Sequence, residues 1–329
     1  MEKIKNFPTI EFDPYGDLKL VVYNYDGPSV LVVSSKAMSL ACDPWRVMLG
    51  PEAKFSEAQP EHSKIIPLPE DDPVALSILL HIVHLQFDQV PSKLEFDDFV
   101  EMAMLTDKYQ ATKLVAPWVP NWIWEVSCLA KREGFEKWLW IAWEFGVTMS
   151  FETVASRLVL ESSTNDEGKC LTSVGEVVVE DMPSDIVENV LEVRKATIDR
   201  LLEIAYYHVN HFTHPNTLFF CRASRNNQAC DALFYGSLIK ELQRCRLGPD
   251  RKEASEIFMS VKELAQKLKT LELFVYPSDT SVNGNHGECS WSRWISTRVD
   301  KVLREIPSAV TDSHRRHLSA QELKCKSKG

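Results

Sequence analysis

The hydrophobic pattern starts with period two and turns helical after residue 34. LKLVVYNY (18–25), opened by Gly16-Asp17, is rich in β-branched and aromatic residues, and Asp26-Gly27-Pro28 is a turn signal before Ser29–Val33. That pattern predicts a β-hairpin. Ser34 and Ser35 then suit the cap of a helix over 36–49, whose inner face is Met38, Ala41, Trp45, Met48 and Leu49. A polar stretch over 50–63 leads to Ile65, Ile66 and Leu68, a short strand expected to be closed by Pro67 and Pro69. Asp71-Asp72 offers an N-cap and Pro73 a first helical position. From there Leu76, Leu79, Leu80, Val83 and Phe87 recur at helical spacing, flanked by Val74, Ile78, Ile82 and Leu85. A helix so apolar all round must be covered on more than one face, which makes 64–87 the internal element of this part of the chain. Helices over 96–109 and 114–124 follow.

Beyond Trp124 the spacing is helical almost throughout. Phe135, Trp138, Leu139, Ala142 and Phe145 form one face, broadened by Trp140 and Trp143, and such an aromatic stripe reads as core. Ser150 suits the cap of a helix to Leu160, and a polar loop near 161–182 holds a short strand-like excursion at 174–179. A long helix is expected over 184–212, ended by Pro215, and another over 230–245. Ser260 and Glu263 form a capping-box pattern, and Trp291, Trp294, Ile295, Val302, Leu303 and Ile306 make a last helical face. No internal repeat is visible.

Three blocks, GDLKLVV, VSSKAMSLACDPWRVML and IPLPEDDPVALSILLHIVHLQF, taken in this order, resemble a BTB/POZ domain, most of all that of filamentous-fungal BTB proteins. The helical region with CDALFYGSLIKEL is similar to the tail of those proteins. Where the animal pattern often carries a His-Arg pair before the first long helix, Ser35-Lys36 stands here. The resemblance implies the fold class: an α/β BTB/POZ domain, a small sheet with packed helices, followed by a mainly α-helical region. The expected organisation is a lead-in over 1–15, the BTB/POZ domain over 16–125, a helical region over 126–310 and a polar basic tail over 311–329. The resemblance also implies a homodimer paired through the first long helix, often with a strand exchanged from the lead-in. Ile10, Phe12, Met38 and Trp45 are the residues assigned to that interface. Phe55-Ser56-Glu57 is similar to the triplet with which animal BTB adaptors dock on a cullin scaffold, so Phe55 and Glu57 are the residues assigned to partner binding.

Charge narrows the partners. The 329 residues carry a formal net charge of −10. Nearly all of it lies in residues 1–125, with about ten basic against about nineteen acidic side chains. A phosphate backbone is repelled by such a surface, so direct nucleic-acid binding is not expected. The basic end, Arg315, Arg316, Lys324, Lys326 and Lys328, reads as solvated. No run reaches the ~18 apolar residues of a membrane span, and no apolar leader follows Met1. An intracellular protein, nuclear or cytoplasmic, is the expectation, with its eight cysteines as reduced thiols or ligands.

The chemistry of catalysis is thin. There is no glycine-rich phosphate loop, no GxSxG elbow and no HExxH, and only 12 glycines allow close backbone approach to a nucleotide. The sequence therefore points to a non-enzymatic interaction protein without cofactor, which dimerises or scaffolds through its BTB module. The alternatives are a substrate adaptor of a cullin-type ubiquitin ligase and a transcriptional regulator acting through partners. Asp71-Asp72 reads as structural, His81 and His84 as packed or rim histidines, and His208, His211 and His214 as a surface trio. Cys221, Cys230, His286 and Cys289 form the one set with ligand chemistry, since H-x-x-C resembles half of a zinc knuckle. C-x8-C is a loose other half, and buried thiols explain the same residues, so the sequence favours no metal there.

Overall fold

The computed structural model describes residues 7–25, 27–49, 65–178, 182–183, 185–215, 220–223, 227–248, 250–277 and 285–326. The chain divides into two compact units, Met1–Val154 with Thr311–Gly329, and Ala155–Val310. Among the described residues no helix is long and apolar enough to cross a membrane.

The first unit is built on a four-stranded sheet in the order β1-β3-β2-β4, made of β1 (Thr9–Glu11), β2 (Leu18–Asn24), β3 (Gly27–Val33) and β4 (Ile65–Leu68). The expected hairpin is β2–β3, with Gly27 at φ +119 beside the turn. The lead-in strand β1 runs parallel to β3 of its own chain, and β4 runs parallel to β2. Leu18, Leu20 and Val22 are buried on one face of β2, while Val21 joins Val30, Val32, Ile65 and Phe7 in a small cluster. Burial on both faces accounts for the unbroken apolar run, where a half-exposed strand would alternate. Pro67 does not close β4 as expected: it pairs with Val21 inside the strand. As β4 is an edge strand, its proline can turn a missing N–H away from the ladder.

Helices α1 (Ser35–Ala41) and α2 (Asp43–Leu49) replace the single expected helix, because the backbone at Cys42 is extended (φ −151, ψ 157). Helix α3 (Pro73–Val83) starts as the sequence predicts, with Asp72 Oδ1 accepting from the N–H groups of Val74 (2.9 Å) and Ala75 (2.8 Å). It stops one turn short of Phe87, since Leu85 takes a left-handed φ of +61 and the Gln86 N–H turns back to the His81 carbonyl. Ala75, Leu76, Ile78, Leu79, Leu80 and Ile82 of α3 are all buried, as an internal helix requires. Asp71 is buried rather than exposed: it accepts from Tyr109 Oη at 2.6 Å and from Lys108 Nζ at 2.6 Å. These bonds tie the exit of β4 to the end of α4 (Phe96–Lys108), and the Tyr109 ring packs on Trp45 of α2.

The short helices α5 (Thr112–Val115) and α6 (Val119–Val126) lead to the aromatic stripe, which forms α7 (Trp138–Phe145) and is core as expected. Helix α8 (Thr148–Glu161) follows. The chain end departs from expectation. Residues 312–326 are not a solvated tail but a helix, α13 (Asp312–Lys326), that buries His314, Leu318 and Gln321. The His317 ring stacks on Trp143 of α7 at 3.6 Å. Gly146 ends α7 at φ +69, and a Cβ there would lie 2.6 Å from the Leu318 carbonyl oxygen of α13. Only glycine fits that approach.

Among its described residues the second unit is helical apart from the small hairpin of β5 (Ser163–Thr164) and β6 (Cys170–Leu171), where a polar loop is expected, and an antiparallel bridge of Val177 to Leu171 within the expected strand-like excursion. Its axis is α9 (Ile186–Thr213), the long helix read from the sequence. Around it pack α10 (Gln228–Arg244), α11 (Val261–Lys269) and α12 (Ser292–Arg304), with Ile198, Leu201, Leu238, Leu242, Leu264 and Val299 in one core. Arg194 of α9 is buried without a carboxylate partner among the described residues. Its guanidinium donates to the carbonyls of Ser162, Ile257, Phe258 and Met259 at 2.7–3.2 Å.

The α7–α13 contact contains a titratable group. Glu144 is fully buried; Thr112 Oγ1 donates to it at 2.7 Å and Gln321 Nε2 at 2.8 Å. Burial raises its pKa from 4.5 to about 7, opposed by the Thr112 bond and aided by the nearby Asp107. Lys324 works in the opposite direction. A carboxyl whose pKa is raised on folding stabilises the fold fully below its unfolded value and loses that contribution as pH rises through the folded one. The first unit is therefore expected to lose roughly 3 kcal/mol of stability between about pH 4.5 and pH 7 from this group. Glu144→Gln should flatten that slope, because Gln321 Oε1, which has no partner among the described residues, can accept from the new amide when its own amide turns over. Denaturant melts of both forms across this pH range check it; parallel slopes contradict it.

Candidate metal centre

The second unit brings together three pieces of chain far apart in sequence. Residues 220–223 supply Cys221. The first turn of α10 supplies Cys230, held there because Asn227 caps the helix and its Oδ1 accepts from the Cys230 N–H at 3.0 Å. The 3-10 turn His286–Ser290 supplies His286 and Cys289 at H-x-x-C spacing, and Asn285 Oδ1 accepts from the Gly287 N–H at 2.9 Å to start that turn. All four ligand atoms lie within 4.8 Å of one another.

The convergence is on one ring nitrogen. His286 Nδ1 lies 3.2 Å from Cys230 Sγ, 3.4 Å from Cys221 Sγ and 3.9 Å from Cys289 Sγ. Cys289 Sγ is 3.9 Å from Cys221 Sγ, and all eight cysteines are free thiols. Cys230, His286 and Cys289 are buried, whereas Cys221 is half-buried and opens the cluster on one side. The Arg222 backbone N–H donates to Cys289 Sγ at 3.3 Å, the Tyr276 ring meets the His286 ring edge-on at 5.6 Å, and the Asn227 amide lies 3.5 Å from His286 Nε2. Burial, with the neighbouring Cys289 and Cys221 sulfurs, pushes the Cys230 thiol up from its ordinary value against the pull of a backbone hydrogen bond at Tyr276.

An aromatic cluster adjoins the cysteines along the chain. His208, expected at the surface, is fully buried among Phe220, Phe234, Trp291 and Trp294. His211 is half-buried against Phe220 and His214 is exposed, so the trio does not form a ligand set. Outside the cluster, an open cleft of about 570 Å³ is lined by Arg222, Trp291, Arg293, Trp294 and Arg298. The Arg222 guanidinium lies 3.9 Å above the Trp291 ring and that of Arg298 4.9 Å from Trp294, a cation–π pairing that keeps positive charge at the cleft wall.

The other residues singled out in the sequence do not meet. His84 is a packed histidine, accepting from the Ser34 N–H at 3.0 Å, and His81 lies 2.7 Å from Gln86 Oε1. Phe55 and Glu57 lie outside the described residues. Of the assigned dimer residues, Phe12, Met38 and Trp45 are buried in their own unit, Phe12 against His81, and only Ile10 is exposed. The apolar side chains that α1 and α2 leave in solvent are Leu40 (75% exposed) and Val47 (63%). Sequence reasoning passed over Asn227 and Tyr276, although an asparagine one residue before a helical pattern is a capping signal. In comparisons with known proteins, no family model, no curated protein and no solved structure matches this chain.

His208 also sets a pH limit. Neither ring nitrogen has a hydrogen-bond partner among the described residues, and burial, with smaller contributions from His211 and Arg222, lowers its pKa from 6.5 to about 4. A histidine held neutral on folding stabilises above its unfolded pKa and loses that contribution as pH falls through the folded one. The second unit should therefore lose roughly 3 kcal/mol between about pH 6.5 and pH 4. His208→Phe removes both the charge and two orphaned polar atoms. It should unfold at higher denaturant than the parent at pH 4.5; equal loss in both forms contradicts this.

Proposed function

We propose that this chain is a non-enzymatic protein–protein interaction protein whose first unit is a BTB/POZ-like module that pairs with a second copy. The order of elements carries the reading: an antiparallel hairpin, two short helices, a strand parallel to the first hairpin strand, then an internal helix covered by another. That order is the one in which the three sequence blocks stand. An acidic first unit suits basic protein partners.

The pairing face follows from what is left in water. Met38 and Trp45 already fill the unit's own core, so a partner would meet the opposite side of α1 and α2, where Leu40 and Val47 stand exposed. Exposed apolar side chains on adjoining helices are the raw material of a closed two-fold contact. Dimerisation is favoured over the cullin-adaptor and transcriptional readings by the exposed Leu40 and Val47.

Light scattering of the full chain at tens of micromolar should report a dimer, and Leu40→Asp with Val47→Asp should convert it to a folded monomer. A parent chain that is monomeric at that concentration, or a dimer indifferent to both substitutions, overturns the proposal.

A further inference from the structure

Four side chains with metal-ligand chemistry meet in the second unit, and their spacing is that of a coordination shell. With Zn–S at about 2.3 Å and Zn–N at about 2.0–2.1 Å, a tetrahedral centre has sulfur–sulfur edges of about 3.8 Å and sulfur–nitrogen edges of about 3.6 Å. The sulfur–nitrogen edges here are 3.2, 3.4 and 3.9 Å, and the Cys221–Cys289 edge is 3.9 Å. We propose that Cys221, Cys230, His286 and Cys289 bind one zinc ion, through three thiolates and His286 Nδ1, as a closed structural site. It stands independently of the interaction reading, since all four ligands lie in the second unit.

Buried thiols alone do not account for this arrangement. A thiol in an ordinary core packs as a small hydrophobe with only a weak S–H donor, and nothing in that role draws several of them to one polar atom. Here three sulfurs gather about a single ring nitrogen that can exchange one hydrogen bond at a time, which leaves two of the three without it. A cation at the centre satisfies all four at once. One neighbour suits thiolate directly, the Arg222 N–H that donates to Cys289 Sγ; at buried Cys230 it is the cation's own charge that would favour the thiolate. Soft sulfur with one imidazole, four-coordinate and closed, selects zinc over the hard cations. Half-buried Cys221 leaves an entry path.

Binding releases the thiol protons: three S–H bonds are replaced by three S–Zn bonds, three protons leave to solvent, and the neutral imidazole adds its lone pair. No oxidant is needed. The consequence is mechanical. Cys221 and Cys289 are 68 positions apart, so the ion fastens residues 220–223 and the entry to α12 onto the first turn of α10. The ion would add to bonds that already cross between these pieces, such as the Phe220 N–H to Asp231 Oδ2 at 3.0 Å and the Phe220 ring against Trp291.

Full-length protein purified with zinc added, then passed into metal-free buffer, should retain about one zinc per chain by mass spectrometry. A chelator should lower its melting temperature, and restored zinc should recover it. Cobalt in place of zinc should give the intense visible absorption of a tetrahedral thiolate site. Cys221→Ser, the least buried ligand, should weaken zinc binding by more than about tenfold, since loss of a mere supporting residue around a metal costs at least that. Folded parent protein holding less than about a tenth of an equivalent overturns the proposal, as does a Cys221→Ser form that binds zinc like the parent. If that variant does not fold, the cobalt spectrum of the parent decides alone: absence of the tetrahedral absorption rejects the site.

Discussion

Burial takes the polar groups inside both units away from bulk water, so leaving one without a partner is costly, and that demand places the side chains on which each unit depends. In the second unit a buried guanidinium, Arg194, has no acid to pair with among the described residues and collects four carbonyls instead, which binds α9 to the chain before β5 and to the approach to α11. Tyr206, further along α9, does the same on a smaller scale by donating to the carbonyls of Leu247 and Asp250. The cysteine–histidine cluster is the third case, and a cation is the partner that its geometry calls for. His208 is an exception, held in an aromatic box with no hydrogen-bond partner among the described residues. Its burial is a net cost that the surrounding ring contacts offset.

The first unit meets the same constraint with carboxylates. Asp71 is neutralised by Lys108 and bonded by Tyr109, which ties the exit of the short edge strand β4 to the end of α4. Glu144 joins α7 to α5 and, through Gln321, to the last helix of the chain. That last helix explains why the unit is discontinuous in sequence. A basic, low-hydrophobicity stretch packs back because three of its residues are buried while its charged residues stay outside.

Much of this was legible in the residues, and what was not has identifiable physical causes. The hairpin, the Asp72 cap, the internal helix α3 and the long helix α9 follow from local pattern, where period and capping chemistry agree. Residues 312–326 misled because their charge dominates the composition, and a helix that buries only His314, Leu318 and Gln321 carries a weak apolar period. Met38 and Trp45 read as interface residues because an amphipathic face says that it is buried, not by what; their own unit covers them. For the metal ligands the types and the H-x-x-C half were visible. Their meeting depends on how α9, α10 and α12 bring residues 221 and 289 together, which no local pattern contains.

The central claim is that a shell of three sulfurs and one nitrogen holds a metal in the second unit, and the most direct measurement looks at the metal itself. X-ray absorption at the zinc edge of the purified full chain should show three sulfur scatterers at about 2.3 Å and one nitrogen at about 2.0–2.1 Å. A first shell made only of oxygen and nitrogen would place any bound zinc elsewhere on the protein and contradict the account.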